Sequence, residues 1–261
     1  MADGKACKHL VLVHGACVGG WSWFTVAARL RSAGYRVTAP DLAASGADPR
    51  PLREVPTFRD YTGPLLSLLG SLPPGENVVL VGHSLGGVNV ALAAELFPDK
   101  IAAAVFLCAF MPDHTSRPSH VLEKFIIDKW LDWMDTEMKP QDAEGKLPTS
   151  MLFGPQIARE KLMQLCSPED LTLAGSLLRV SSMFVEDLQV QQPYSKERYG
   201  SARKVYIVCK QDLAIPEGFQ RWMIENNPVD EVKEIDADHV VMLSRPDELA
   251  RCLADVAESY A

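Results

Sequence analysis

Short runs of consecutive apolar residues alternate along the chain with segments whose apolar residues recur every three or four positions. The consecutive runs have the length of β-strands. In the segments between them, the recurrence of apolar residues every three or four positions is that of one helix face. Near-continuous apolar strands that alternate with amphipathic helices are typical of a mostly parallel sheet flanked by helices, an α/β fold. The predicted strands are His9–Val13, Tyr35–Ala39, Asn77–Val81, Ile101–Ala109, Val205–Cys209 and Glu231–Ile235, and the clearest predicted helices are Ser22–Ala33, Phe58–Leu69, Pro216–Asn226 and Pro246–Ser259.

The alternation is interrupted between residues 111 and 199. This stretch has no clear buried strand, and it is rich in short helical patterns, methionine and proline. Open α/β sheets bind their ligands at the carboxyl ends of the strands, so an insertion of this size is best interpreted as a cap over that edge. We therefore predict a core of residues 1–110 and 200–261 with a mainly helical cap, residues 111–199, inserted over the active site.

Charge and cysteine content restrict the function classes. The net charge of −8 argues against a nucleic-acid partner and against a polybasic membrane anchor. No apolar stretch reaches the roughly 18–20 residues that span a bilayer, and the first residues contain no hydrophobic targeting core. The six cysteines are scattered without a Cys-x-x-Cys pair, so no metal site is indicated. We expect a cytoplasmic protein with free thiols and no membrane partner.

The strongest chemical signal is Gly82-His83-Ser84-Leu85-Gly86, which matches G-x-S-x-G between a predicted strand and a predicted helix. In that context the glycines permit a sharp turn that exposes the Ser84 hydroxyl above the sheet. The same turn places the Leu85 N–H at a helix N-terminus, where negative charge is stabilised. Ser84 is thus a candidate nucleophile and Leu85 a candidate oxyanion donor, whereas we interpret His83 as structural.

A serine hydroxyl needs a general base, and the triad order in this fold is Ser, then Asp or Glu, then His. His239 follows the last predicted strand, and Asp212 follows the strand before it. We predict that His239 is the base and that Asp212 orients it, with Asp238 and, more weakly, Asp236 as rivals for the acid. The loop after the first strand should supply the second oxyanion donor, for which we predict the Ala16 N–H.

These residues stand among longer segments that resemble the plant methylesterase family within the α/β-hydrolase superfamily. The resemblance runs nearly the whole length of the chain. It includes His14-Gly-Ala-Cys17, Gly19-Gly-Trp-Ser-Trp23, Asp41-Leu-Ala-Ala-Ser-Gly46, Val81-Gly-His-Ser-Leu-Gly-Gly87, Phe110-Met-Pro-Asp113, Leu165-Cys-Ser-Pro-Glu-Asp170 and Asp238-His239. One departure is Val18, where many members carry histidine.

The resemblance implies an esterase for methyl esters of small plant signal acids, namely methyl salicylate, methyl jasmonate or methyl indole-acetate. It implies the triad and the two oxyanion donors named above. It also implies that the reaction needs no cofactor or metal. The implied partner is a small apolar ester or its acid product, and a homodimer is compatible with the sequence. The residues that it places near the apolar pocket are Phe110, Phe125, Trp133, Leu152 and Phe153.

Two other functions remain open at this stage. A hydroxynitrile lyase uses the same triad, but lyases of this group resemble one another in a lysine after the histidine, a threonine in the first loop and a cysteine after the serine. This chain has Val240, Ala16 and Leu85 there, so it lacks the positive charge that would stabilise leaving cyanide. The second alternative is a binding protein for salicylate-like acids with little or no turnover.

Overall fold

The structure, a computed structural model, describes residues 8–261 and contains a six-stranded sheet in which every neighbouring pair of strands is parallel. The order of its strands is β2-β1-β3-β4-β7-β8. The predicted α/β class is thereby confirmed. The strands are β1 His9–Val13, β2 Arg36–Thr38, β3 Val78–His83, β4 Ile101–Leu107, β7 Lys204–Cys209 and β8 Glu231–Ile235, and a separate antiparallel pair is formed by β5 Glu137–Lys139 and β6 Ser150–Leu152.

Helices cover both faces of the sheet, and their bounds lie close to those that the apolar spacing predicts. Thr57 accepts a hydrogen bond from the Asp60 N–H and caps the second helix. The α-helices are α1 Phe24–Ser32, α2 Phe58–Gly70, α3 Gly86–Leu96, α4 His120–Ile127, α5 Pro155–Ile157, α6 Pro168–Leu177, α7 Val185–Gln189, α8 Glu217–Asn226, α9 Val241–Ser244 and α10 Pro246–Tyr260, and 3-10 turns occupy Gly20–Trp23, Leu52–Glu54 and Pro98–Lys100. None of the helices within residues 8–261 is both long enough and apolar enough to cross a bilayer.

The parallel register brings the functional loops together. Val13 is paired with Gly82, His83 with Leu107, and Cys209 with Ile235, so the carboxyl ends of these strands lie along one edge. The loops that begin there contain the predicted nucleophile, acid, base and oxyanion donor. This is the edge at which open α/β sheets bind ligands.

The segment between β4 and β7 packs over this edge through short helices, the β5–β6 pair and irregular turns. The β5–β6 pair was not predicted within this mainly helical segment, because the three residues of its first strand are all exposed and form no buried apolar run. Arg179 attaches the segment to the core: its guanidinium donates to the carbonyl oxygens of Gly46, Asp48 and Arg50 at 2.8, 2.5 and 3.1 Å.

Candidate active site

Ser84 lies at the turn between β3 and α3 in a left-handed backbone conformation, with φ of 56°. A non-glycine residue with positive φ is strained, and such strain persists only where the surrounding contacts enforce it. Here the Ser84 carbonyl accepts hydrogen bonds from the N–H groups of Gly87 and Phe110, at 3.1 and 3.0 Å. Close packing also requires Gly82, because a Cβ there would lie 2.5 Å from the Gly86 carbonyl oxygen. The turn therefore presents the Ser84 side chain at the edge of the sheet.

His239 and Asp212 are both buried, and the Nδ1–H of His239 donates to Asp212 Oδ2 at 2.7 Å. The other carboxylate oxygen of Asp212 accepts from the N–H groups of Ala214 and Ile215, each at 2.8 Å. Because the carboxylate only accepts, it keeps the proton of His239 on Nδ1 and leaves Nε2 free to take a proton. This is the tautomer that a general base next to Ser84 requires.

The two rival carboxylates have other partners. Asp238 turns away from the imidazole of its neighbour and accepts from Ser244 Oγ and from the Leu165 N–H. Burial raises the pKa of Asp238 above its usual value. Asp236 is exposed and accepts from Gln211. Among the three candidates, only Asp212 is bonded to His239.

The loop after β1 is packed tightly against Ser84. A Cβ on Gly15 would lie 2.8 Å from Ser84 Cβ, and a Cβ on Gly86 would lie 2.7 Å from the His14 carbonyl oxygen. His14 holds the loop in place, because its Nδ1–H donates to the Gly15 carbonyl at 2.8 Å and its Nε2 accepts from the Leu42 N–H at 3.0 Å. Ala16 and Leu85 both line the cavity above Ser84.

His83 links the nucleophile turn to the base. Its Nε2 lies 2.8 Å from the carbonyl oxygen of His239, and since a carbonyl only accepts, Nε2 carries the proton. Burial lowers the pKa of His83 well below its ordinary value, so the ring is neutral. Its Nδ1 is buried without a hydrogen-bond partner. The sequence offered no signal for this contact beyond the position of His83 before Ser84.

A small apolar cavity of about 30 Å³ lies above Ser84 and His239. Phe110, Phe125, Trp133 and Phe153, all predicted to line it, do so, and the rings of Phe110 and Phe125 meet edge to face at 5.1 Å. Leu152, also predicted near the pocket, is not among the residues that line this cavity. Its neighbour Met151 takes that place, since successive side chains of β6 point to opposite faces. Further lining residues that the sequence did not indicate are Leu131, Met151, Leu162, Met183, Ala214 and Ile215.

Two buried thiols lie near the site, and burial keeps both of them protonated. Burial raises the pKa of Cys17 to about 12, so this thiol near the site stays protonated. In the described chain, the ligand atoms of His83, Cys108 and His239 lie within 4.8 Å of one another. Burial also raises the pKa of Cys108 well above its usual value, which disfavours the thiolate that a metal ion needs. The five cysteines within residues 8–261 are free thiols, and Cys7 lies outside the described residues.

The fold and the serine turn define an α/β hydrolase, and residues 10–252 match the sequence model of the Alpha/beta hydrolase family. Salicylic acid-binding protein 2 of Nicotiana tabacum is 52% identical to this chain, and the match covers 98% of this chain and 99% of that protein. Methylesterase 1 of Arabidopsis thaliana is 47% identical over the full length of both. The crystal structure of polyneuridine aldehyde esterase superimposes with a TM-score of 0.93 at 44% identity, covering 97% of this chain and 100% of that one.

The chain therefore belongs to the plant methylesterase family of carboxylic ester hydrolases. The predicted family resemblance is confirmed over its whole length.

Proposed function

We propose that the chain hydrolyses methyl esters of small plant signal acids, with methyl salicylate, methyl jasmonate and methyl indole-acetate as the candidate substrates. Ser84 is the nucleophile, His239 the general base and Asp212 the residue that orients it. The observation that carries the proposal is the buried hydrogen bond between His239 Nδ1 and Asp212 Oδ2 beside the strained Ser84. The names of the relatives support the substrate class.

In the proposed mechanism His239 Nε2 takes the Ser84 proton while the hydroxyl attacks the ester carbonyl. The N–H groups of Ala16 and Leu85 stabilise the developing oxyanion. His239 then protonates the leaving methanol, and a water molecule that it activates releases the acid from Ser84. The aromatic walls of the cavity suit a flat or apolar acid group.

A binding protein with little turnover is the alternative. The aromatic walls would serve it equally well, but the carboxylate of a bound acid would need a positive partner. No lysine or arginine is among the residues that line the cavity in the part of the chain that the structure describes. A carboxylate product without such a partner should be held weakly, and weak retention would favour turnover. The lyase alternative has no support in the site, where Val240 follows the base.

The proposal is tested by hydrolysis of the three methyl esters and of p-nitrophenyl acetate. Ser84→Ala should reduce kcat by roughly 10³-fold or more, because the nucleophile is lost. Ser67→Ala, the same change at an exposed helix position, is the matched control. If the wild type cleaves none of the esters while calorimetry detects binding of the free acids, the binding-protein function replaces the esterase.

A further inference from the structure

The residue before the base is a fully buried carboxylate that the proposed reaction does not use. Asp238 has no exposed surface, and its Oδ1 accepts a hydrogen bond from Ser244 Oγ at 2.5 Å. Its Oδ2 accepts from the Leu165 N–H at 2.8 Å and lies 3.6 Å from Cys166 Sγ. These hydrogen-bond partners are all neutral, and a buried carboxylate with neutral partners costs stability. The contacts of Asp238 show what this cost maintains.

The two residues that flank the base are both bonded to one short segment between β4 and β7. We call this segment, residues 162–166, the cap clamp. Asp238 accepts from the Leu165 N–H, and the Val240 N–H donates to the Leu162 carbonyl oxygen at 3.1 Å. The base therefore lies between two points at which its loop is anchored to the cap clamp.

The cap clamp also contacts the loop that carries the acid, and it borders the cavity. Gln164 Nε2 donates to the carbonyl oxygen of Gln211, the residue before the acid, at 2.6 Å. The side chain of Leu162 lines the cavity above the nucleophile. A single π-helical turn, Ala158–Leu162, leads into the clamp, and such turns are frequent at functional sites. An ester in the cavity would consequently touch the segment that holds both the acid loop and the base loop.

From these contacts we infer that Asp238 is a positioning residue for the base: it anchors the base loop to the cap clamp and so fixes the imidazole of His239 relative to Ser84. The inference rests on the proposed function, in which His239 takes the proton of Ser84. Asp238 acts only through the backbone, because it shares a peptide bond with His239 and its own side chain is bonded elsewhere. A displacement of the base by about 1 Å can cost roughly 10²-fold in rate.

The first test is steady-state kinetics on the best methyl ester, with kcat calculated per folded molecule from urea denaturation curves. Asp238→Ala should lower kcat about 10- to 100-fold and change KM less than about threefold, because the base is displaced while the cavity remains. Asp238→Asn should retain most of kcat, since its amide oxygen can accept from the Leu165 N–H while its NH₂ donates to Ser244 Oγ. Asp255→Ala, at an exposed aspartate of α10, is the matched control.

The second test needs no ester. The hydrogen bond to Asp212 moves the proton resonance of His239 Nδ1–H to low field, and the loss of this resonance in His239→Gln assigns it. Asp238→Ala should shift or broaden the resonance, because the imidazole no longer has a fixed place. Asp238→Asn and Asp255→Ala should leave it unchanged.

A milder variant covers the case in which Asp238→Ala does not fold. Ser244→Ala removes one of the two donors to the carboxylate oxygens, changes only a half-buried side chain, and should lower kcat by at least about threefold with a smaller shift of the resonance. If Asp238→Ala is unfolded, an unchanged kcat and resonance in Ser244→Ala overturn the inference.

The remaining outcomes separate the inference from the function beneath it. An Asp238→Ala variant that is less stable but keeps the wild-type kcat and resonance would show a purely structural carboxylate, and the inference fails. An Asp238→Asn variant as impaired as Asp238→Ala would assign the effect to the negative charge and not to the anchoring bonds, which also overturns it. If the wild type cleaves no ester, the proposed function fails, and the resonance alone decides whether Asp238 positions His239.

Discussion

His83 donates a hydrogen bond from Nε2 to the carbonyl oxygen of His239 at 2.8 Å, although the two residues are 156 positions apart in the chain. The residue before the nucleophile thereby holds the backbone of the base. Their rings also lie close together, with centroids 4.6 Å apart. The nucleophile turn and the base loop are therefore positioned as one unit.

Replacing His83 by Phe should lower kcat about 10- to 100-fold with a smaller change in KM, because a displaced base affects the reaction more than the binding of the ester. His83→Gln keeps an N–H donor and should retain more activity than His83→Phe. Steady-state kinetics of both variants on the best methyl ester provide the measurement. Equal losses in the two variants would argue against the hydrogen bond as the cause.

Asp212→Asn should reduce kcat by about 10⁴-fold while leaving the fold intact. The amide oxygen of Asn would accept from the N–H groups of Ala214 and Ile215, so its NH₂ would face His239 and force Nδ1 to accept. Nε2 would then carry the proton and could not take one from Ser84. Asp236→Asn, at an exposed carboxylate, is the control. Retention of wild-type kcat by Asp212→Asn would assign the orienting role to another group.

Gly15→Ala should lower kcat by about 10²- to 10³-fold, the loss typical of a removed oxyanion donor. The added Cβ would lie 2.8 Å from Ser84 Cβ, and both atoms are fixed by the backbone, so the loop or the nucleophile must shift. Gly175→Ala offers a comparison in α6, where an added Cβ meets nothing within 4 Å. That variant should gain roughly 0.5–1 kcal/mol in stability. Steady-state kinetics measure the expected loss of kcat in Gly15→Ala, and thermal melting measures the expected gain in stability of Gly175→Ala.

Arg179→Ala should destabilise the protein by about 1–3 kcal/mol and raise KM, because three carbonyl oxygens of residues 46–50 lose a charged donor. The loss loosens the segment that carries Met151 and Met183 over the cavity. Urea denaturation and steady-state kinetics measure the two effects, with Arg53→Ala at an exposed position as the control. An unchanged urea midpoint would mean that the contact adds nothing to stability.

Acid should destabilise the protein between pH 6.5 and about 4. Burial, and then the charge of Arg36, lower the pKa of His9 to about 4 from an ordinary value of 6.5. The unfolded state binds a proton in this window and the folded state does not, so the free energy of unfolding falls as pH falls, by up to about 1.4 kcal/mol per pH unit for this group. His9→Gln should flatten the dependence in urea titrations at pH 7, 6 and 5. The same substitution at exposed His120 is the control, and an unaltered slope in His9→Gln would refute the assignment.

Local patterns were sufficient for the six strands of the main sheet and for the long helices that flank it. The predicted strand Glu231–Ile235 is found with those bounds, and the predicted helix from Phe58 ends one residue later than expected. Periodicity works here because each strand and helix is marked by its own apolar positions. The G-x-S-x-G turn likewise depends on neighbouring residues, and this made Ser84 recognisable in the sequence.

The sequence by itself determined the α/β class, the family, the serine turn and a short list of candidate partners for it. Only the tertiary structure decided which carboxylate meets His239, since Asp212 lies 27 residues away and Asp238 is adjacent but turned aside. It also decided that Met151 rather than Leu152 lines the cavity. These properties depend on the directions of side chains and on contacts between distant loops, and no local pattern of residues encodes them.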